Sequence, residues 1–142
     1  MKLLDFIRKL DYLNIDKECD NPSTIDCVAY IPRRKTTVVY PITSITVIST
    51  HKSTKIILNA EREAFKEINC IKLNQLYEDL KELQYSLDDY EKRRSYIFMS
   101  IKKNKNAPKI CHTIPKWSWP ILDNDQEALF IKSTNSFVLY KD

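Results

Sequence analysis

The stretch of sequence that decides the fold runs from Asn74 to Lys105 and reads NQLYEDLKELQYSLDDYEKRRSYIFMSIKKNK. Its first half continues a series of leucines at the spacing of one apolar helix face: Leu73, Leu76, Leu80 and Leu83. Its second half is rich in Tyr, Ile and Phe, which favour strands. From Lys92 onward its charges are all basic. The stretch therefore predicts a change of both structure and charge along its length.

Two structures are compatible with this stretch. In one, the apolar spacing continues to Ile101 and gives a single helix of about eight turns over residues 73–101. In the other, the helix ends near Gln84, the sequence SLDD forms a loop, and a strand begins at Arg94. We favour the second structure because Tyr, Ile and Phe favour strands. The single helix would also place Arg94 in its apolar seam.

The composition predicts one domain over residues 1–142, because 43% of the residues are hydrophobic and 11% are aromatic. Within it we expect an N-terminal helix and loop over residues 1–25 and a strand-rich region over residues 26–142. No apolar run approaches the roughly 20 residues of a membrane span. No leader with a cleavage site precedes the first helix. We therefore expect a cytoplasmic protein without a membrane partner.

The fold class that these patterns predict is α+β, a strand-rich meander with one principal amphipathic helix and an N-terminal helix. Residues 61–69 fit either a helical turn or a strand, and Pro41 is expected to break one strand from the next. The predicted elements are a helix over residues 1–15 and strands over Cys27–Ile31, Thr37–Tyr40, Ile42–Ser49, Lys55–Leu58, Ala128–Ile131 and Phe137–Tyr140, the last being alternatively a helical turn.

A proline-rich segment separates the strand after Arg94 from the last two strands. It contains Pro108, Pro115 and Pro120, a density that excludes a helix interior or a central strand. Between them lies the sequence Trp117-Ser-Trp119. We expect the two indoles to pin this loop to the core; the alternative is that they bind a ligand.

Signals of catalysis are weak. The chain contains no glycine, which excludes the glycine-rich phosphate loops of nucleotide-binding enzymes. Its two histidines, His51 and His112, lie in no catalytic motif. Its four cysteines lack the paired spacing typical of zinc sites. We therefore expect a non-enzymatic protein without metal or cofactor; the alternative is a small nuclease or RNA-cleaving toxin that uses His51.

The distribution of charge is more informative than the net charge of +4. From Cys27 to Ala60 the chain has five Lys or Arg residues and no acidic residue, and from Lys92 to Leu122 it has eight and again no acid. Such segregation creates local positive fields. Cations that lie in turns between strands can contact phosphates, and strands and loops can enter DNA grooves.

Four segments also occur in an order that resembles a known family. They are Tyr40–Ser49 (YPITSITVIS), Lys72–Leu80 (KLNQLYEDL), Tyr90–Ile97 (YEKRRSYI) and Ile131–Ser133 (IKS). The pattern resembles the LytTR-type DNA-binding domain of bacterial transcription regulators. The resemblance implies a strand-rich fold with one principal helix, which reads DNA with the loops between its strands. It also implies that His51 and Lys52 lie in a contacting loop.

The sequence thus predicts a small DNA-binding transcription regulator whose cations from distant segments form one face on duplex DNA. The alternative is a protein-interaction module that forms a homodimer or binds a partner through the single 73–101 helix. The predicted nucleic-acid-binding residues come from the basic turns and from the resemblance. They are Arg33, Arg34, Lys35, His51, Lys52, Arg93, Arg94, Ser95 and Lys132, of which the resemblance alone supplies Lys132.

Overall fold

The computed structural model describes residues 1–13, 21–32, 37–61, 70–102, 110–134 and 137–139. The helices in these residues are α1 (Leu3–Tyr12), α2 (Leu73–Ser86) and α3 (Asp89–Arg93). The strands are β1 (Asp26–Pro32), β2 (Thr37–Ser49), β3 (Thr54–Glu61), β4 (Ser95–Lys102), β5 (Ile110–Thr113), β6 (Ile121–Asp123), β7 (Ala128–Lys132) and β8 (Phe137–Leu139). The predicted strand-rich α+β fold is therefore confirmed.

The described strands form one mixed sheet in the order β6-β7-β1-β2-β3-β4-β5-β8. Strands β1, β2 and β3 are antiparallel neighbours, as a meander requires. Strand β4, however, is parallel to β3, and β7 is parallel to β1. Parallel neighbours need a crossover connection, and the chain between β3 and β4 contains α2 and α3. Only the first three strands are therefore a meander.

Strand β2 joins two halves of this sheet. Its residues Thr37–Pro41 pair with β1, whereas Ile42–Ser49 pair with β3, with a register shift between Ile42 and Ser44. The prediction that Pro41 separates two strands is wrong. Proline lacks the N–H that a ladder needs, and Pro41 lies at the point where β2 changes partner. We call β6, β7, β1 and Thr37–Pro41 the first half-sheet, and the remaining strands with Ile42–Ser49 the second half-sheet.

Helices α1 and α2 contribute the helical side of the core. Side chains in strands alternate between the two faces of a sheet, so every second residue of β1, β3 and β4 belongs to this core. The buried helix residues are Leu3, Phe6, Ile7 and Leu10 from α1, with Leu73, Leu76 and Leu80 from α2. Their strand partners in the core include Cys27, Ala29, Ile31, Ile56, Leu58, Ala60, Ile97, Met99 and Ile101.

The deciding stretch folds as a helix, a second short helix and a strand. Helix α2 ends at Ser86, and Leu87 has an extended backbone and a buried side chain. Asp88 then caps α3, and β4 begins at Ser95. The single helix over residues 73–101 is therefore wrong, and the favoured strand is confirmed. The short helix α3, which lies between the expected loop and the strand, was not predicted.

The proline-rich segment holds the other departures from prediction. Strand β5 fits its four residues between prolines and pairs with β4, and β6 begins directly after Pro120. Trp117 and Trp119 are exposed, so the prediction that they pin the loop to the core is wrong. Both predicted closing strands are present as β7 and β8. Most of residues 61–69 and the end of the predicted first helix lie outside the described residues.

None of the helices in the described ranges is long and apolar enough to cross a membrane.

Candidate nucleic-acid interface

The turn between β2 and β3 is held by the backbone and hydroxyl of Thr50. The Thr50 amide donates to the carbonyl of Ser53 at 2.9 Å. The Thr50 hydroxyl oxygen accepts hydrogen bonds from the amides of Lys52 at 3.3 Å and Ser53 at 3.1 Å. A hydroxyl that accepts from the following amides stabilises a turn in this way. The side chains of His51 and Lys52 are exposed at the tip of this fixed turn.

Helix α3 presents the second group of basic residues. Asp88 begins it as an N-cap, because its carboxylate accepts the Glu91 amide at 2.7 Å. Arg93 and Arg94 follow at its end, and both are exposed. The Arg94 guanidinium lies 4.4 Å from the centre of the Tyr90 ring, a cation–π contact that orients the side chain.

The parallel pairing of β3 with β4 brings the turn and α3 together. Thr54 lies opposite Ser95 in the ladder, and its amide donates to the Arg94 carbonyl at 3.1 Å. Both side chains are buried, and the Ser95 hydroxyl donates to the Glu91 carbonyl at 2.6 Å. These bonds connect the start of β3 to the last turn of α3. Segments far apart in the sequence therefore become neighbours.

A cleft of about 340 Å³ lies between the turn and α3, and we call it the turn–helix cleft. It is lined by Thr50, His51, Lys52, Ser53, Thr54, Asp88, Tyr90, Glu91 and Arg94. Its charges are mixed, because two carboxylates face the same space as Lys52 and Arg94. The hydrogen bond with Asp88 and the charge of that carboxylate raise the pKa of Glu91 above its ordinary value.

Four of the predicted residues thus lie at one end of the second half-sheet. We call this group, which consists of His51, Lys52, Arg93 and Arg94, the turn–helix surface. In the described part of the chain the ion pairs join Arg8 to Asp5, Lys72 to Asp26 and Lys81 to Asp11. The four side chains take part in none of these pairs.

The other predicted residues are placed differently. Ser95 has no exposed surface, and its hydroxyl is used by the Glu91 carbonyl, so it positions α3 and leaves no side-chain surface for a contact. Lys132 ends β7, opposite Tyr30 of β1, and lies over the ring of Trp117. It belongs to the first half-sheet, whereas the turn–helix surface belongs to the second. Lys132 contacts an indole and is not among the residues that line the turn–helix cleft.

Arg33, Arg34 and Lys35 lie outside the described residues. Their described neighbours are Pro32, which ends β1, and Thr37, which begins β2. Strand β2 has 13 residues and runs from Thr37 to Ser49, the end that leads to His51.

Sequence reasoning missed the acidic and aromatic parts of the cleft. Asp88, Tyr90 and Glu91 line the cleft. The prediction used only the cations that follow them in the sequence. An acceptor three residues before Glu91 is a helix-start pattern, and it could have located α3. Within the described ranges there is no group of three or more His, Cys, Asp or Glu side chains that could hold a metal ion.

No family model, no curated protein and no solved structure matches this chain. A function for it must therefore be argued from the arrangement of its own residues.

Proposed function

We propose that the protein binds duplex DNA through the turn–helix surface, as a small transcription regulator would. One observation carries the proposal. His51 and Lys52 from the β2–β3 turn line one cleft with Arg94, and Arg93 precedes Arg94 at the end of α3. All four side chains are exposed and outside the described ion pairs. The resemblance of the sequence pattern to LytTR-type domains, which use inter-strand loops on DNA, supports the same surface.

The β2–β3 turn can enter a DNA groove while the end of α3 contacts the phosphates beside it. A strand–turn–strand element can enter a DNA groove, as a helix does. His51 and Lys52 at its tip would reach base edges, whereas Arg93 and Arg94 would contact phosphates. Hydrogen bonds already fix the turn, so little conformational entropy is lost on binding.

The two carboxylates of the turn–helix cleft restrict where a phosphate can lie. Asp88 and Glu91 face the cleft, and their negative charge would repel a phosphate placed inside it. Phosphate contacts therefore belong on the outer side of the turn and at the exposed end of α3. Arg93, which is not among the cleft-lining residues, is the best candidate for such an outer contact.

The experiment compares the double variant Arg93→Ala/Arg94→Ala with Arg8→Ala in duplex binding over a series of salt concentrations. Each lost phosphate contact lowers the slope of log K against log[salt] by about one unit. We expect a slope lower by about one to two for the double variant, because Arg93 is the outer contact and Arg94 shares the cleft with two carboxylates. Arg8 is an exposed arginine on α1 that pairs with Asp5, so its removal should leave the slope nearly unchanged.

Two results would contradict the proposal. One is wild-type protein that fails to bind duplex DNA even at low salt. The other is an equal loss of affinity in Arg8→Ala and in the double variant, which would show a general effect of charge. Thermal unfolding of each variant should be close to that of the wild type, because the three arginines are exposed.

The competing interaction module lacks its structural basis. It required one continuous helix over residues 73–101, whereas α2 ends at Ser86. Its apolar stripe is also occupied, since Leu73, Leu76 and Leu80 pack in the core of the protein itself.

A further inference from the structure

A second feature, built from other residues than the turn–helix surface, is a group of exposed aromatic rings. Tyr12 is 77% exposed, Trp117 70% and Trp119 49%. We call these three residues the aromatic patch. Both tryptophans of the chain belong to it. Tryptophan is largely buried in most proteins, so two exposed indoles in one loop require an explanation.

The loop holds its tryptophans outward because Ser118 and the two flanking prolines are buried. Ser118 lies between the indoles, is buried, and donates from its hydroxyl to the Pro115 carbonyl at 2.9 Å. Its amide donates to the same carbonyl at 3.1 Å. The adjoining Pro115 and Pro120 are buried as well. The backbone is therefore fixed in a way that directs the rings to solvent.

Helix α1 clamps this loop through a single lysine. The Lys9 ammonium donates to the carbonyls of Lys116 at 2.7 Å and Ser118 at 2.8 Å. The same ammonium lies 5.1 Å from the centre of the Trp119 ring. Tyr12, one turn further along α1, meets Trp119 edge to face at 5.4 Å. The patch is thus organised before any ligand arrives.

Cations accompany each indole. Lys132 places its ammonium 4.3 Å from the centre of the Trp117 ring. Lys9 makes the same cation–π contact with Trp119. Lys116 is exposed and precedes Trp117 in the loop. Flat exposed rings with ammonium groups beside them match a ligand that has both aromatic faces and negative charge.

We infer that the aromatic patch binds single-stranded nucleic acid. Bases stack on Trp117 and Trp119, and the phosphates between them lie near Lys116 and Lys132. Proteins that bind single strands combine aromatic platforms with basic grooves in this way. The bases of a duplex are stacked on each other, so their faces are closed to such rings. The inference stands on residues separate from the turn–helix surface and does not depend on it.

An anionic membrane surface is the competing ligand, because Trp, Tyr and Lys also occur together at lipid interfaces. The position of the ammonium groups favours nucleic acid. The ammonium groups of Lys9 and Lys132 lie against the rings. Inserting the indoles into lipid would therefore carry the charges with them, at a desolvation cost. Stacked bases instead leave the ammonium groups beside phosphates.

The first measurement is tryptophan fluorescence, which reports the patch alone because both tryptophans lie in it. Wild-type protein is titrated with oligothymidine of about 12 nucleotides, within the site sizes of single-strand binders. We expect saturable quenching. A parallel titration uses vesicles of phosphatidylserine and phosphatidylcholine, which should leave the fluorescence unchanged.

The second measurement is the anisotropy of a labelled oligothymidine with two matched variants. Trp117→Ala should weaken binding at least about fivefold, the lower end of what one stacked base contributes. Tyr85→Ala removes an aromatic ring of α2 that is 79% exposed, and it should change the affinity by less than about twofold. Both rings are exposed, so both variants should fold.

The inference is overturned by a titration without quenching, by equal affinity of Trp117→Ala and wild type, or by quenching with vesicles in place of oligothymidine. The Arg93→Ala/Arg94→Ala variant separates this inference from the proposed function. It should keep its affinity for oligothymidine. If duplex binding fails in every protein while the patch still binds single strands, the proposed function alone is lost.

Discussion

Two regions of this molecule use basic residues in different surroundings. At the turn–helix surface, Lys52 and Arg94 extend from a hydrogen-bonded turn and the end of a short helix, and they line one cleft with two carboxylates. At the aromatic patch, Lys9 and Lys132 lie against indole rings. A count of charges along the sequence does not separate these cases. The groups beside each cation decide whether it suits phosphates alone or bases and phosphates together.

The strongest test of this comparison exchanges ligands between the two surfaces. Trp117→Ala/Trp119→Ala should lose most single-strand affinity, about tenfold or more, because two stacking platforms are removed. Its duplex affinity should stay within about twofold of wild type. Gel-shift titrations with both ligands measure this. If Trp117→Ala/Trp119→Ala lost both activities, the aromatic patch and the turn–helix surface would form one binding surface.

A matched pair of buried serines tests how each surface is positioned. Ser95 donates to the Glu91 carbonyl beside the first surface, and Ser118 donates to the Pro115 carbonyl beneath the second. Removing either hydroxyl should lower the free energy of unfolding by about 0.5–1.5 kcal/mol, because one hydrogen bond is lost while each carbonyl keeps a backbone amide donor. Urea unfolding gives this value for each variant.

The binding results should then differ between the two serine variants. Ser95→Ala should weaken duplex binding and leave oligothymidine binding unchanged, whereas Ser118→Ala should do the reverse. If both variants lost the same stability without any selective loss of binding, the two serines would have only structural roles.

The smallest expected effect is a loss of folding stability at alkaline pH, which involves the thiols of Cys27 and Cys70. Burial raises the pKa of the Cys27 thiol, and it raises the pKa of Cys70 to about 11. A group whose pKa is higher in the folded state adds stability below its unfolded pKa, near 9 for these thiols, and loses it as pH rises further. Stability should therefore decline above about pH 9.

Urea unfolding between pH 7 and pH 11 measures this decline, with Cys27→Ala as the comparison. The variant should be less stable than wild type at pH 7, because it leaves a small cavity. Its stability should fall less steeply above pH 9, because one of the two thiols is gone. Parallel curves would show that Cys27 does not contribute to the alkaline loss.

The sequence predicted those elements whose residues alternate at a single period. The leucines of α2 and the apolar face of α1 recur at helical spacing, and β1, β3 and β4 carry strand-forming residues. The continuity of β2 was not predicted, because a proline usually ends a strand. Nothing in the neighbouring sequence shows that the strand continues with a different partner beyond Pro41. Strand β5 was missed because its pairing with β4 is decided by tertiary contacts.

The candidate site was predictable only in part. The basic residues of the turn and of α3 were identified from charge alone, but their proximity depends on the parallel pairing of Thr54 with Ser95. The aromatic patch could not be derived in the same way. Alternation places Trp117 and Trp119 on one side and Ser118 on the other, but it does not tell which side meets water.

The change of partner within β2 has a consequence for how this protein opens. Each half of β2 is hydrogen-bonded to a different strand, so separating β1 from β2 leaves the bonds between β2 and β3 in place. Amide protons on the two sides of Ile42 can therefore exchange at different rates. The sheet is continuous in shape, yet it can come apart as two cooperative units that meet beside a proline.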